Sequence, residues 1–129
     1  EVVPLTRSDL DLANPETIAP AVDRVRPAVV VNCAAYNFVD RAESEQEEAF
    51  AANAWGLREL ARVCRLAGAK LVHVSTDYVF GIDEARDTPF GEDDAPGPVS
   101  VYGLSKLCGE FVVRAASPRN LVVRTCGLY

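Results

Sequence analysis

The chain has 129 residues, 49% of them hydrophobic and 25% charged, with a formal net charge of -6 and a pI near 4.7. That length is within the range of one domain, the apolar fraction is enough for a packed core, and the acidic balance argues against a nucleic-acid or anionic-membrane partner while leaving room for a locally basic pocket. No apolar run is long enough to span a membrane and no signal-peptide pattern opens the chain, so the expectation is a soluble, cytoplasmic domain with no membrane partner. Cys33, Cys64, Cys108 and Cys126 show neither C-x-x-C nor metal-ligand spacing. They read as small buried apolar residues, free thiols of a reducing compartment.

Val2 to Leu5 reads as a strand already under way, and Leu10-Asp11-Leu12 as a second, short one. Asn14 is placed to cap a helix opened by Pro15 and running to about Arg26, where Pro27 stops it. Ala28 to Cys33 is a β-branched run without alternation, the pattern of a parallel strand buried on both faces. Ala34-Ala35-Tyr36 stands at its end. Ser44 and Glu47 match a capping box for a helix from about Glu45 to Ala67, ending at Gly68 and packed through Phe50, Ala54, Leu57, Ala61 and Cys64. Glu43, Glu45, Glu47 and Glu48 are then acids at a helix start, and no metal site is expected. Trp55 reads as packing. Asn53 stands beside the apolar stripe, where a polar amide reads as a satisfied core group.

Lys70-Leu71-Val72-His73-Val74-Ser75-Thr76-Asp77-Tyr78-Val79-Phe80 is an apolar run ending in hydroxyl and carboxylate side chains, as at the carboxyl end of a buried parallel strand opening on a ligand crevice. His73, the lone histidine of the chain, reads as a neutral core residue. Residues 81–99, rich in Gly, Pro, Asp and Glu, form a long loop over that end, and Leu121 to Thr125 a further buried strand.

Between them Ser100 caps a helix whose apolar residues Leu104, Leu107, Cys108, Phe111, Val112 and Ala115 recur along one face. That face is expected to be buried. Tyr102 and Lys106 fall one turn apart on the other side, where core packing gives no reason for either. An ammonium beside a phenol stabilises the phenolate and lowers its pKa from about 10 toward neutrality, which makes the phenol a usable general acid or base.

The run S-T-D-Y-V-F at Ser75 to Phe80, followed by V-Y-G-L-S-K-L-C-G-E at Val101 to Glu110, resembles the extended short-chain dehydrogenases, and among them the dTDP-4-dehydrorhamnose reductase family. Residues 26–36, 39–43, 53–54 and 123–129 resemble that family in order and approximate spacing. The resemblance implies an α/β, doubly wound, mostly parallel Rossmann-type sheet, incomplete in this chain, with residues 1–129 forming part of an NAD(P)-binding domain. The opening strand, glycine-rich phosphate loop and first helix of such a domain are not in the sequence, so a fragment of a larger enzyme is expected.

The resemblance further implies reduction of the C4 ketone of dTDP-4-dehydro-L-rhamnose, with Tyr102 as proton donor, Thr76 on the carbonyl oxygen, and Lys106 on the nicotinamide ribose and biasing Tyr102. Asp77 and Tyr78 would border the nucleotide-sugar substrate together with Thr76 and Tyr102. Cofactor contact falls to Arg7, Asp11, Leu12, Cys33, Ala34, Ala35, Tyr36, Asn53, Tyr102 and Lys106, with NADPH expected and NADH as the alternative. An arginine near the adenosine ribose favours a 2′-phosphate, although Arg7 reads equally as a solvated loop residue. A homodimer of the full-length protein is a further expectation. Two rivals stay open: another nucleotide-sugar epimerase or dehydratase, and a non-catalytic regulatory subunit of the methionine adenosyltransferase type, which a Tyr102 turned into the packed side of its helix would favour.

Overall fold

The computed structural model describes residues 1–83 and 85–127. Its sheet has strands β1 (Val29–Asn32), β2 (Lys70–Thr76) and β3 (Leu121–Thr125), parallel and in the order β1-β2-β3. Helix α1 (Ile18–Val25) precedes β1. The helices α2 (Val39–Ala42), α3 (Gln46–Phe50) and α4 (Leu57–Leu66) lie between β1 and β2, and α5 (Val101–Ala116) between β2 and β3. Parallel neighbours need crossovers of this kind, and the α/β class follows from them. Leu128 and Tyr129, part of the family resemblance, lie outside the described residues.

Ile18 and Val22 of α1, Leu57, Leu60 and Cys64 of α4, Val113 of α5 and Leu71 of β2 pack into one buried cluster. Val30 and Val122, which pair with Leu71 and His73, join it from the neighbouring strands. Alternate positions face the other way, and there Val31 is 61% and Val123 46% exposed. The expectation of strands buried on both faces is therefore corrected for β1 and β3: the described helices cover one face of the sheet.

Val2 to Leu5 forms no strand and pairs with none of the described strands. Leu10-Asp11-Leu12 is not strand but lies between two turns, the second beginning at Leu12. The Leu10 amide donates to Thr6 O, Asn14 N donates to Asp11 O, and the Asp11 carboxylate accepts from Ala13 N at 2.9 Å. Such local bonds from an aspartate compete with extended backbone. Asn14 occupies the cap position without a side-chain bond, and the Thr17 hydroxyl does the local bonding, donating to Asn14 O at 2.8 Å. The chain leaves α1 through Arg26 at φ 49, a left-handed exit, into Pro27.

The expected capping box at Ser44 and Glu47 does not form: Ser44 Oγ donates to Arg41 O, and Glu45 is occupied by Tyr36 and Arg41. Helical backbone nonetheless runs from Gln46 to Leu66 and turns out at Gly68, φ 74, but residues Ala51–Gly56 form a π-helical segment. Trp55 is 57% exposed rather than packed, and of the cysteines only Cys64 is buried, Cys33 and Cys126 being exposed.

The largest correction concerns α5. Ser100 caps it as expected, its Oγ accepting from Gly103 N at 3.0 Å. Of the expected face Leu107 is buried, but the inward side also carries Tyr102, Ser105, Lys106, Gly109, Glu110 and Val113, while Leu104 and Phe111 are 45% and 57% exposed. Hydrophobic periodicity points the wrong way here because Ser105, Lys106 and Glu110 each find a partner, which removes the cost of burying them.

Candidate active site

Two glycines let α5 approach its neighbours closely. A Cβ on Gly103 would lie 2.2 Å from Tyr78 O, and one on Gly109 would lie 2.3 Å from Asn53 O. The first contact seats α5 on the turn that follows β2, and the second seats it on the π-helical segment. Thr76, the last residue of β2, therefore stands beside the first turn of α5. Its hydroxyl accepts from Tyr78 N and donates to the Asp77 carboxylate, both at 3.2 Å. The Tyr78 and Tyr102 rings meet edge to face at 5.6 Å.

Tyr102 is 8% exposed, its ring against Ala42, Ala49 and Tyr36. Burial raises its pKa, the Thr76 hydroxyl works in the opposite direction, and Asp77 and Tyr78 raise it further. The expected lowering by Lys106 is corrected: the lysine is not among the groups that shift the phenol. Its ammonium is turned to β2, donating to Val74 O at 2.8 Å with His73 Nε2 at 3.5 Å. Burial pushes Lys106 down to about 8 against the pull of Glu110 and Cys33. A phenol held above its ordinary pKa stays protonated at neutral pH, which suits a proton donor.

Asn53 sits in the π-helical segment, a feature that recurs at functional sites. Its Oδ1 accepts from Tyr36 N at 2.8 Å, and its Nδ2 donates to Tyr36 O at 3.1 Å and to Ser105 Oγ at 3.0 Å. The amide thereby fixes the loop after β1 to the helix bearing Tyr102 and Lys106. Asn53 is thus a buried amide whose polar atoms are satisfied, as the core reading expects.

Cys33 and Ala34 are exposed and Ala35 half-buried at the carboxyl end of β1. Small side chains there leave backbone open to a flat ring, and Lys106 lies behind them, so these residues fit the ribose and ring end of a nicotinamide cofactor. Arg7 and Asp11 stand at the other end of the chain's course, paired at 3.0 Å with the arginine side chain 81% exposed. Leu12 is buried in the core, its carbonyl against Gly56. Among the described residues no three His, Cys, Asp or Glu side chains are grouped as around a metal ion.

Sequence patterns missed several positioning groups. Glu43, set aside as an acid at the start of its own helix, accepts from Val101 N at 2.8 Å and so stabilises the N-terminus of α5 instead. Asn32 donates to His73 Nδ1 at 3.0 Å. Ser75 and Arg124 both reach the buried Glu110. Each contact joins residues far apart in sequence, and no local motif announces it.

The chain matches the RmlD substrate binding domain family over residues 1–129. It is 45% identical over 129 residues to a dTDP-4-dehydrorhamnose reductase of Sinorhizobium fredii, covering 100% of this chain and 43% of that protein. A dTDP-4-dehydrorhamnose reductase of Mycolicibacterium smegmatis is 48% identical over 128 residues, covering 99% and 38%. In structure it superposes with a TM-score of 0.93 and 39% identity on a Bacillus anthracis dTDP-4-dehydrorhamnose reductase in complex with NADP, covering 100% of this chain and 45% of that one. The chain thus spans less than half the length of these relatives. The match in sequence along the whole chain, together with the superposition of its sheet and helices, shows that the chain belongs to the RmlD substrate binding domain family.

Proposed function

We propose that the protein bearing this chain reduces the C4 ketone of dTDP-4-dehydro-L-rhamnose, with NADPH as the hydride source and NADH as the alternative. The observation that carries this reading is the placement of Thr76, Tyr102 and Lys106 around the carboxyl end of β2, in a chain whose relatives include reductases of that name. The reduced nicotinamide supplies the hydride. Tyr102, protonated at neutral pH, donates its proton to the ketone oxygen as negative charge develops there. Thr76 releases Asp77 and turns its hydroxyl to the same oxygen, while Asp77 and Tyr78 border the sugar. Lys106 holds the ribose, and Asn53 keeps the Ala34 to Tyr36 backbone in place for the ring.

The regulatory-subunit reading gains from one observation: Tyr102 lies on the packed side of α5. On this helix, however, the packed side also faces the strand ends, so burial of the ring and contact with Thr76 go together. The two readings separate by steady-state kinetics on the full-length protein. Thr76→Val should lower kcat with little change in cofactor affinity, and Lys106→Met should damage both. Wild-type protein without ketone-dependent NADPH oxidation would favour the regulatory subunit.

A further inference from the structure

Behind Lys106 lies a line of buried polar groups that the reduction does not use. Asn32 ends β1, His73 stands inside β2 and Lys106 projects from α5, with exposures of 6%, 1% and 3%. Asn32 Nδ2 is 3.2 Å from Ala34 O and 3.0 Å from His73 Nδ1. A backbone carbonyl only accepts, so the amide must present its NH2 group on that side. The same NH2 then donates to His73 Nδ1, which is the bare ring nitrogen. In a neutral imidazole the proton then sits on Nε2, the nitrogen 3.5 Å from Lys106 Nζ. Burial first, and the neighbouring Lys106 second, keep the ring neutral, its pKa lowered to about 3.

An N–H therefore points at the lysine nitrogen. An ammonium has no lone pair to accept it, whereas an amine does, and either form donates to Val74 O at 2.8 Å. Around the same nitrogen, Glu110 on α5 and Cys33 after β1 favour the charged form, and burial opposes it.

We propose that His73 is a positioning residue, locked by Asn32 as the Nε2–H tautomer, that favours the amine form of Lys106 and so sets the pH at which the lysine changes charge. The link to turnover rests on the assignment of Lys106 to the active site; the tautomer and its effect on the lysine do not. Asn32 and His73 thereby couple the loop bearing Ala34 to the proton affinity of Lys106 through bonds that a packing role alone would not orient.

The test is nitrogen-15 NMR of the histidines in the cofactor-free, full-length protein, with the His73 signal identified by its loss in His73→Phe. The expected result is a bare Nδ1 and a protonated Nε2, unchanged from about pH 5 to about pH 8. An Nδ1–H tautomer, or an imidazolium in that range, overturns the proposal. The Lys106 ε-carbon resonance gives the second reading: His73→Phe keeps a ring of similar size and removes the N–H, so the Lys106 titration should move upward. A folded His73→Phe variant with an unchanged or lower Lys106 pKa also overturns it. Should His73→Phe not fold, Asn32→Leu identifies the ring signal by its shift, and the wild-type tautomer alone decides. Neither reading needs substrate, so failure here leaves the reductase assignment standing, and loss of that assignment leaves the tautomer untouched.

Discussion

Arg124 grips Glu110 from the neighbouring strand with two arms, Nε 2.9 Å from Oε1 and Nη2 2.7 Å from Oε2. The carboxylate is fully buried, and Ser75 Oγ donates to it at 2.7 Å, so β2, β3 and α5 meet at one group. The guanidinium also lies 4.9 Å over the Phe80 ring, Phe80 stacks on Phe90 at 4.1 Å, and Arg86 covers Phe90 at 4.3 Å. The loop after β2 is thereby tied to the helix that carries Tyr102 and Lys106.

Removing one partner of such a pair leaves an uncompensated buried charge. Arg124→Met leaves Glu110 with Ser75 and the more distant Arg114 at 3.6 Å, and should cost about 3–5 kcal/mol of stability. Urea unfolding of the full-length protein reads this, and Arg124→Met with Glu110→Leu should recover much of the loss. A single-variant loss under about 1 kcal/mol, the range of a surface pair, contradicts the account.

Close approach of α5 to the turn after β2 depends on Gly103. In Gly103→Ala the new methyl meets the Tyr78 carbonyl, a backbone atom that cannot swing aside, so the helix start must move. The expected cost is about 1–3 kcal/mol, seen as a lower thermal midpoint, with turnover falling as Tyr102 leaves Thr76. Ala tolerated at position 103 with full stability would mean that the contact is looser than the 2.2 Å separation implies.

His73 also predicts the acid limb of stability. Its pKa is about 3 in the folded chain against 6.5 for the free side chain. Below 6.5 the unfolded chain binds a proton that the folded one refuses, so this contribution is full above 6.5 and lost as pH falls toward 3. The loss of denaturation midpoint between about pH 7 and about pH 5 should therefore be smaller in His73→Phe than in the wild type. Equal losses would mean that the native ring takes up its proton near the ordinary histidine pKa. Lys106 acts at the other end: lowered to about 8 from 10.5, it destabilises while charged, and that penalty fades as pH rises from 8 to 10.5.

That strand β2 and the helices on either side of it exist was legible in local patterns: an apolar run at Leu71 to Val74, a helical stripe through Leu57 and Cys64, a serine cap at Ser100. Thr76 at a strand end and the one-turn spacing of Tyr102 and Lys106 were legible from position in the sequence alone, but the burial of Tyr102 and Lys106 was not. Nor was the orientation of α5, because Ser105, Lys106 and Glu110 on its inward face are satisfied by groups from other elements, such as Asn53 for Ser105 and Ser75 and Arg124 for Glu110. Val2 to Leu5 looked like a strand by composition, but a strand also needs a neighbour, and composition does not supply one.

The most direct measurement is the turnover of full-length Tyr102→Phe with dTDP-4-dehydro-L-rhamnose and NADPH. The substitution removes only the hydroxyl and leaves the ring against Ala42 and Ala49. The reductase account predicts that kcat falls by about 10² to 10⁴, the usual contribution of a general acid, while NADPH affinity changes little. Undiminished turnover in Tyr102→Phe would contradict it.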